Sequence, residues 1–359
     1  MSLMTALNID YPIIQAPMAG GATTPELVAT VSNFGALGAL GAGMTAPKTL
    51  AAQIDTIKRL TQRPFMVNLM VLSHAESTTF DAPMPDWLRE YYQTAMPDED
   101  IDALLPEQPA PLFAEQLDVL YRHPVPVASF TFGIISREAV QGLQALGTRV
   151  IGTANHPKEA LAWAEVGADA VCVQGAEAGG HRGGWLTESM RDPMPLLPLL
   201  EGTRALTEIP LIATGGLMSA DDIRTVLDAG AAMAQLGTAF LTTDKSGIHP
   251  TYKQGLLAAS RGTRSSDTRL TRLFSGKMAR GLVNDYMQSM ARFDDAAQLP
   301  AYPQLNAMTK PMRAHAAKIG DAEHLSLWAG QGVREVKDEP TTTLLTRLVE
   351  GLGLLSQSP

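Results

Sequence analysis

Ten residues, Gln174 to Gly183 (QGAEAGGHRG), put an amide, a glycine-rich bend and a histidine directly after the apolar run ADAVCVQ. A chain that leaves a strand through several glycines brings its backbone close to a flat or anionic ligand, because Gly has no Cβ and tolerates positive φ. His181 stands where such a ligand would lie. An imidazole titrates near neutral pH, so it accepts or donates a proton without the tuning a carboxylate needs. A plain turn carrying a surface histidine would use the same residues, so the surroundings must decide.

Other runs carry complementary chemistry. QAPMAGG (Gln15 to Gly21) supplies Ala16, Pro17, Met18, Ala19 and Gly20, small or flat residues against which a planar ring can lie. Asn68 ends the run PFMVN, and Gln174 ends ADAVCVQ. An amide both donates and accepts, so this pair is suited to the pyrimidine edge of a flavin, although either could equally cap a strand end. ATGGL brings Gly215 and Gly216, and QLGTAFL brings Gln235, Leu236, Gly237 and Thr238. Backbone N–H groups at two neighbouring strand ends of this kind form a phosphate cradle, which points to a phosphate-bearing cofactor.

These groups need a scaffold that gathers strand ends. From Tyr11 to about Ser260, eight short β-rich runs (YPIIQAPM, ALGALGAG, PFMVNLMV, VPVASFTFG, TRVIGTAN, ADAVCVQG, PLIATGGL and AAMAQLGTAFL) alternate with helical patterns such as TPELVATVSNFG, PKTLAAQIDTIKRL and SADDIRTVLDAG. Several of the helical patterns open on a capping residue or Pro and close on Gly. Continuous apolar strands imply burial on both faces. The expectation is an α/β fold, a (β/α)8 TIM barrel over residues 1–260, whose C-terminal strand ends would carry the site. Residues 73–111, rich in Pro, Asp and Glu with a short helix at DWLREYYQTA, form an insertion after strand 3 that would serve as a lid, a subunit contact or a solvated decoration. Residues 261–359 read as a helical extension packed on the barrel and fraying at GLGLLSQSP.

Composition narrows the function classes. Of the 359 residues 45% are hydrophobic and 18% charged, and no apolar run reaches about 18 residues, so no membrane span is expected. The net charge of −9 argues against a nucleic-acid surface. With no signal-peptide pattern at MSLMTALNID, the chain reads as cytoplasmic. Cys172 lies inside an apolar strand and reads as packing. The other histidines (His74, His123, His156, His249, His315 and His324) show no ligand spacing, so no metal site is expected.

Taken together, QAPMAGGATTPELVATVSNFGALG, PFMVNLMV, DAVCVQGAEAGGHRG, ATGGL, QLGTAFL and FSGKMARGLVND resemble the nitronate monooxygenase family, formerly called 2-nitropropane dioxygenases, and within it class I. The resemblance implies an FMN-dependent TIM barrel that oxidises alkyl nitronates with dioxygen to a carbonyl compound and nitrite. It implies His181 as the active-site histidine. It also implies flavin contacts from Ala16 to Gly20, Asn68, Gln174, Gly179, Gly180, Gly215, Gly216 and Gln235 to Thr238. The partners expected are a small nitronate or nitroalkane and dioxygen, with a homo-oligomer left open. One departure stands out: many members carry a second histidine in a motif like SFHFG, where this chain has Thr131 in SFTFG. Two other functions use similar residues: an FMN-dependent NAD(P)H enoyl-ACP or quinone reductase, and a flavin-binding module without turnover. A pocket of Met18, Met70, Phe130 and Phe274 would suit a small alkyl group.

Overall fold

The computed structural model describes residues 2–187 and 191–354. All eight expected barrel strands form: β1 (Ile13–Gln15), β2 (Gly38–Gly41), β3 (Phe65–Met70), β4 (Val127–Thr131), β5 (Arg149–Ala154), β6 (Ala170–Gln174), β8 (Leu211–Thr214) and β9 (Met233–Leu236). A short β7 (Gly180–His181) lies outside the barrel and pairs with a C-terminal hairpin, β10 (Thr268–Thr271) and β11 (Ala279–Leu282). The barrel sheet is parallel throughout, in the order β1-β9-β8-β6-β5-β4-β3-β2. A bridge from Ile14 to Leu37 brings its ends together, so the chain is a (β/α)8 barrel.

The strands alternate between two environments, as a period of two requires. Ile14, Met66, Val127, Ile151, Cys172, Ile212 and Met233 form one apolar cluster inside the barrel. Their neighbours, among them Val67, Ala128, Val150, Val171 and Ala213, pack with the surrounding helices instead. Two residues further along the inward face come Ala16, Asn68, Ser129, Thr153, Gln174, Thr214 and Gln235. The inner wall thus changes from apolar to polar at the C-terminal strand ends, which is the end where (β/α)8 barrels build sites. Cys172 is buried in the apolar layer, and burial pushes its thiol pKa up to about 12, so it stays a protonated packing group.

The helices start and stop where their sequences direct. Thr24 caps helix Pro25–Phe34 by accepting from Leu27 N, with Pro25 in the first turn and Gly35 closing it in a left-handed conformation. Ser219 and Asp222 form a reciprocal capping box on helix Ala220–Asp228.

Residues 261–354, expected as a mostly helical extension, also contribute two strands. The stretch SGKMARGLVN, expected as helix, contains β11, because its edge pairs with both β10 and β7. Helix Thr341–Gly351 packs against helices Pro25–Phe34 and Ala220–Asp228. It thereby takes the eighth position of the helical ring. Leu344, Leu345, Leu348 and Val349 are fully buried there, each worth about 1.5–3 kcal/mol relative to exposure. The expected frayed terminus falls largely on residues 355–359, outside the described residues.

The insertion after β3 builds a second core with the C-terminal part. Met84, Trp87, Leu88 and Tyr92 bury against Leu273, Phe274, Tyr286, Met287, Leu305 and Met312. The Tyr92 hydroxyl donates to Met308 O at 2.5 Å and accepts from Met312 N at 3.2 Å, which satisfies both sides of a buried phenol. Gln304 Oε1 accepts from the backbone N–H groups of Asp81 and Ala82. No described helix is long and apolar enough to cross a membrane.

Candidate active site

His181 is held from three sides. Its backbone pairs with Ala279 through the β7–β11 ladder. The Gln174 side chain donates to His181 O at 3.1 Å and accepts from Gly183 N at 2.8 Å, spanning the loop it precedes. The fully buried Arg182 turns the other way and donates to the carbonyls of Gln174 and Gly175. Beyond the loop, the buried carboxylate of Glu159 accepts from Trp185 N and Leu186 N at 2.7 and 2.8 Å. Charge-assisted bonds of this kind are about twice as strong as neutral ones, so the loop is preorganised.

The imidazole is enclosed by rings. Phe132, Tyr302 and Trp328 lie with ring centroids 5.7, 5.3 and 5.5 Å from His181. Phe132 adopts φ 74° at the end of β4, uncommon for a residue with a Cβ and costing roughly 1–2 kcal/mol. A hydrogen bond from its N–H to Gly183 O (2.8 Å) holds it there and presents its ring to His181. The Tyr302 hydroxyl lies 3.1 Å from the sulfurs of both Met44 and Met70. Thioethers accept weakly, so this donor remains available to an anion.

Two cations face this pocket. Lys277 Nζ sits 4.6 Å above the Phe132 ring and 3.3 Å from Gly184 O. Arg313 donates to Asn306 and Thr309 oxygens. Among the described residues neither cation has a carboxylate within ion-pairing distance. Burial, then the charges of Lys277 and Arg313, push the His181 pKa down to about 3, so the ring is neutral across the physiological range. Burial also lowers Lys277, to about 8.

The expected flavin contacts converge on one end of the barrel. Thr214 of β8 is paired with Gln235 of β9, and Gln15 of β1 with Leu236, so Gly215, Gly216, Gly237, Thr238 and the Ala16–Gly20 turn leave adjacent strand ends. A Cβ placed on Gly237 would lie 3.5 Å from the Ala16 Cβ and 3.8 Å from Met18 Sδ. Gly215 and Gly216 have φ of +136° and +72°. The N–H groups of Gly215, Gly216 and Thr238 have no acceptor among the described residues. Asn68 donates to Ser129 Oγ at 2.9 Å, and its side-chain carbonyl oxygen has no donor among the described residues. Free N–H groups on two adjacent strand ends beside an inward-facing amide fit a flavin that carries one phosphate.

Three expectations change. Gln174 was to read a pyrimidine edge beside Asn68, but its carbonyl oxygen already accepts from Gly183 N and from Asn155 Nδ2 at 2.9 Å, so its side chain mainly braces the loop. Phe130 faces outward, because β4 alternates: its ring packs on Phe113 and Trp163 at 6.3 Å. Phe274 lies edge-on behind Trp328 at 5.5 Å rather than against His181. Thr131, in the place where many members of the family carry a second histidine, donates to Gly183 O at 3.2 Å and supports the loop. Gly179 and Gly180, expected as flavin contacts, differ in their surroundings: a Cβ on Gly179 would come within 2.5 Å of Ala329 C and Gly330 N, whereas one on Gly180 would meet nothing within 4 Å.

Sequence reasoning missed Phe132, Ser275, Lys277, Tyr302, Arg313 and Trp328. All but Phe132 come from the C-terminal part of the chain; SFTFG, which holds Phe132, and FSGKMARG, which holds Ser275 and Lys277, offered a signal, and Tyr302, Arg313 and Trp328 lie in neither. Among the described residues no group of three His, Cys, Asp or Glu side chains is placed to hold a metal ion.

Comparison with known proteins agrees with this geometry. The family model described as "Nitronate monooxygenase" matches residues 1–351. A "Probable nitronate monooxygenase" of Staphylococcus haemolyticus (strain JCSC1435) is 40% identical over 359 residues, covering 98% of this chain and 97% of its own. Among solved structures, the nitroalkane oxidase from Streptomyces ansochromogenes superposes with a TM-score of 0.84 at 38% identity, covering 98% of both chains. FabK from Thermotoga maritima superposes with a TM-score of 0.74 at 25% identity, over 98% of this chain and 96% of its own. Fold, loop and relatives together establish that the chain belongs to the nitronate monooxygenase family of flavin-dependent oxidoreductases.

Proposed function

We propose that the protein binds FMN and oxidises small alkyl nitronates with dioxygen to a carbonyl compound and nitrite. The observation that carries this reading is a neutral imidazole in an aromatic, sulfur-lined cleft, flanked by two half-buried cations with no carboxylate within ion-pairing distance among the described residues. Positive charge held without an ion-pair partner favours an anionic ligand, and a nitronate is an anion. Gly215, Gly216, Gly237 and Thr238 would hold the phosphate, with Ala16 to Gly20, Asn68 and Gln235 along the ring system. A bound FMN would supply the electron acceptor and the centre that reacts with dioxygen.

The chain's own residues do the rest. Lys277 and the Tyr302 hydroxyl hold the nitro oxygens through charge and a hydrogen bond. Phe132, Trp328 and Met70 exclude water from the alkyl group. His181, neutral and close to these groups, takes the α-proton when the substrate arrives as a neutral nitroalkane.

Oxygen uptake and nitrite release with propyl-2-nitronate and propionate-3-nitronate test the reading. The likeness to FabK favours one rival, a reductase that draws on NADH or NADPH. Anaerobic mixing separates the two: flavin bleaching by nitronate supports the proposal, and rapid bleaching by NADH or NADPH alone overturns it. The cofactor released by heat should chromatograph as FMN. The paired strand ends offer one phosphate cradle and no second nucleotide motif is evident, so recovery of FAD would refute the phosphate assignment.

Gly216→Val should weaken FMN retention about tenfold or more while the barrel still folds. A β-branched residue resists φ +72°, and its Cβ would stand 3.1 Å from Glu177 Cβ at the cradle's edge. Equilibrium dialysis reads the effect, and full occupancy in the variant would move the cradle elsewhere.

A further inference from the structure

Ser275 lies at the turn between β10 and β11, where its own N–H donates to Arg272 O at 3.1 Å. The hydroxyl is 1% exposed and has three neighbours: Lys277 O at 3.0 Å, Lys277 N at 3.4 Å and His181 Nε2 at 2.9 Å. The pairing of Ala279 with His181 brings this turn onto the ring.

A serine hydroxyl has one proton to give and two lone pairs to offer. The Lys277 carbonyl can only accept, and the Lys277 N–H can only donate. If the Ser275 proton goes to the carbonyl, Oγ accepts from the Lys277 N–H and from a protonated Nε2, and every group at the turn is satisfied. If it goes to Nε2 instead, the Lys277 carbonyl loses its partner. Nδ1 would then carry a proton with no acceptor among the described residues. Buried polar groups pair wherever they can, so the first arrangement prevails.

The geometry points to Ser275 as the residue that sets the tautomer of His181, with the ring proton on Nε2 and the lone pair on Nδ1, the atom that takes the substrate's α-proton. This assignment of Nδ1 rests on His181 acting as the base. Ser275 takes no part in the transfer of the substrate's proton: it is a positioning residue that acts through the ring.

Ring ¹⁵N spectra of the flavin-loaded protein carrying labelled histidine decide the tautomer, with the His181 signals identified by their loss in His181→Asn. The expected spectrum has a pyridine-type Nδ1 and a pyrrole-type Nε2. Ser275→Ala should convert this to a mixture, and Ser275→Thr, which keeps the hydroxyl, should restore it. In parallel, Ser275→Ala should lower kcat/KM for neutral nitroalkane about tenfold to a hundredfold and alter that for preformed nitronate much less, since a mis-set tautomer disables only the base. A protonated Nδ1 in the wild type, or an unchanged pattern in Ser275→Ala, overturns the inference. The wild-type spectrum decides the tautomer even if Ser275→Ala fails to fold. Absence of nitroalkane turnover in the wild type would defeat Nδ1 as base and leave the tautomer to the spectrum.

Discussion

His181→Asn should keep its flavin and lose oxidation of neutral nitroalkane by about a hundredfold or more, the usual contribution of a positioned base. Preformed nitronate should lose much less, because it has no α-proton to give up and its nitro oxygens are held by Lys277 and Tyr302 rather than by His181. The split follows from the neutral ring. With its pKa pushed down to about 3 by burial and by Lys277 and Arg313, the imidazole is unprotonated at any pH where the protein works and keeps a lone pair free for a proton; so low a pKa makes it a weak base, and its contribution rests on position rather than basicity. A substrate that arrives deprotonated has no use for that capacity. Asn retains a polar group of similar reach but cannot take up the proton. For the same reason, the wild-type profile for nitroalkane should show no ionisation of His181 near its ordinary value of 6.5. Steady-state kinetics on both substrates provides the check, and equal, negligible losses would place the chemistry away from this side chain.

The barrel and its glycine-rich ends were legible because their causes are local. A buried strand shows as a short apolar run, a capped helix as Ser, Thr or Pro before a periodic pattern, and a backbone cradle as glycines after a strand. The loop around His181 was legible for the same reason. The bracing of that loop was not, since Gln174 and Asn155 reach across it only once β5 and β6 are adjacent. Phe130 shows the limit within one strand: an aromatic at a strand end is visible in the sequence, but whether it faces the cleft or the helices depends on register. The C-terminal wall was the least legible part. Ser275 comes to His181 at the turn of a hairpin that pairs with two residues of β7, Trp328 through a single bridge to Gly281 of that hairpin and Tyr302 from a later segment, and so short a strand and a lone bridge leave no periodic signature.

Lys277→Met should fold at least as well as the wild type and lower kcat/KM for nitronates by roughly tenfold to a hundredfold, the equivalent of one hydrogen bond to a charged group. The stability half follows from linkage. The unfolded chain holds this proton up to about 10.5, whereas the folded protein releases it near 8, so at neutral pH the fold bears the cost of an enclosed charge. Methionine fills a similar volume without that cost, and the variant's melting temperature should not fall. The activity half follows from what the charge faces: the Phe132 ring and a carbonyl, with Glu159 and Glu76 acting on it only from beyond ion-pairing distance. A cation kept at the expense of stability is accounted for by an anionic ligand. As pH rises through about 8 the wild type should lose nitronate kcat/KM along a single limb, because the ammonium becomes an amine while the nitronate stays anionic. Lys277→Met should be slow on both sides of that pH and show no such limb, and Lys277→Arg should keep much of the activity with the limb moved to higher pH. A wild-type limb that survives in Lys277→Met would assign the ionisation to another group and leave Lys277 as a packing residue beneath Phe132.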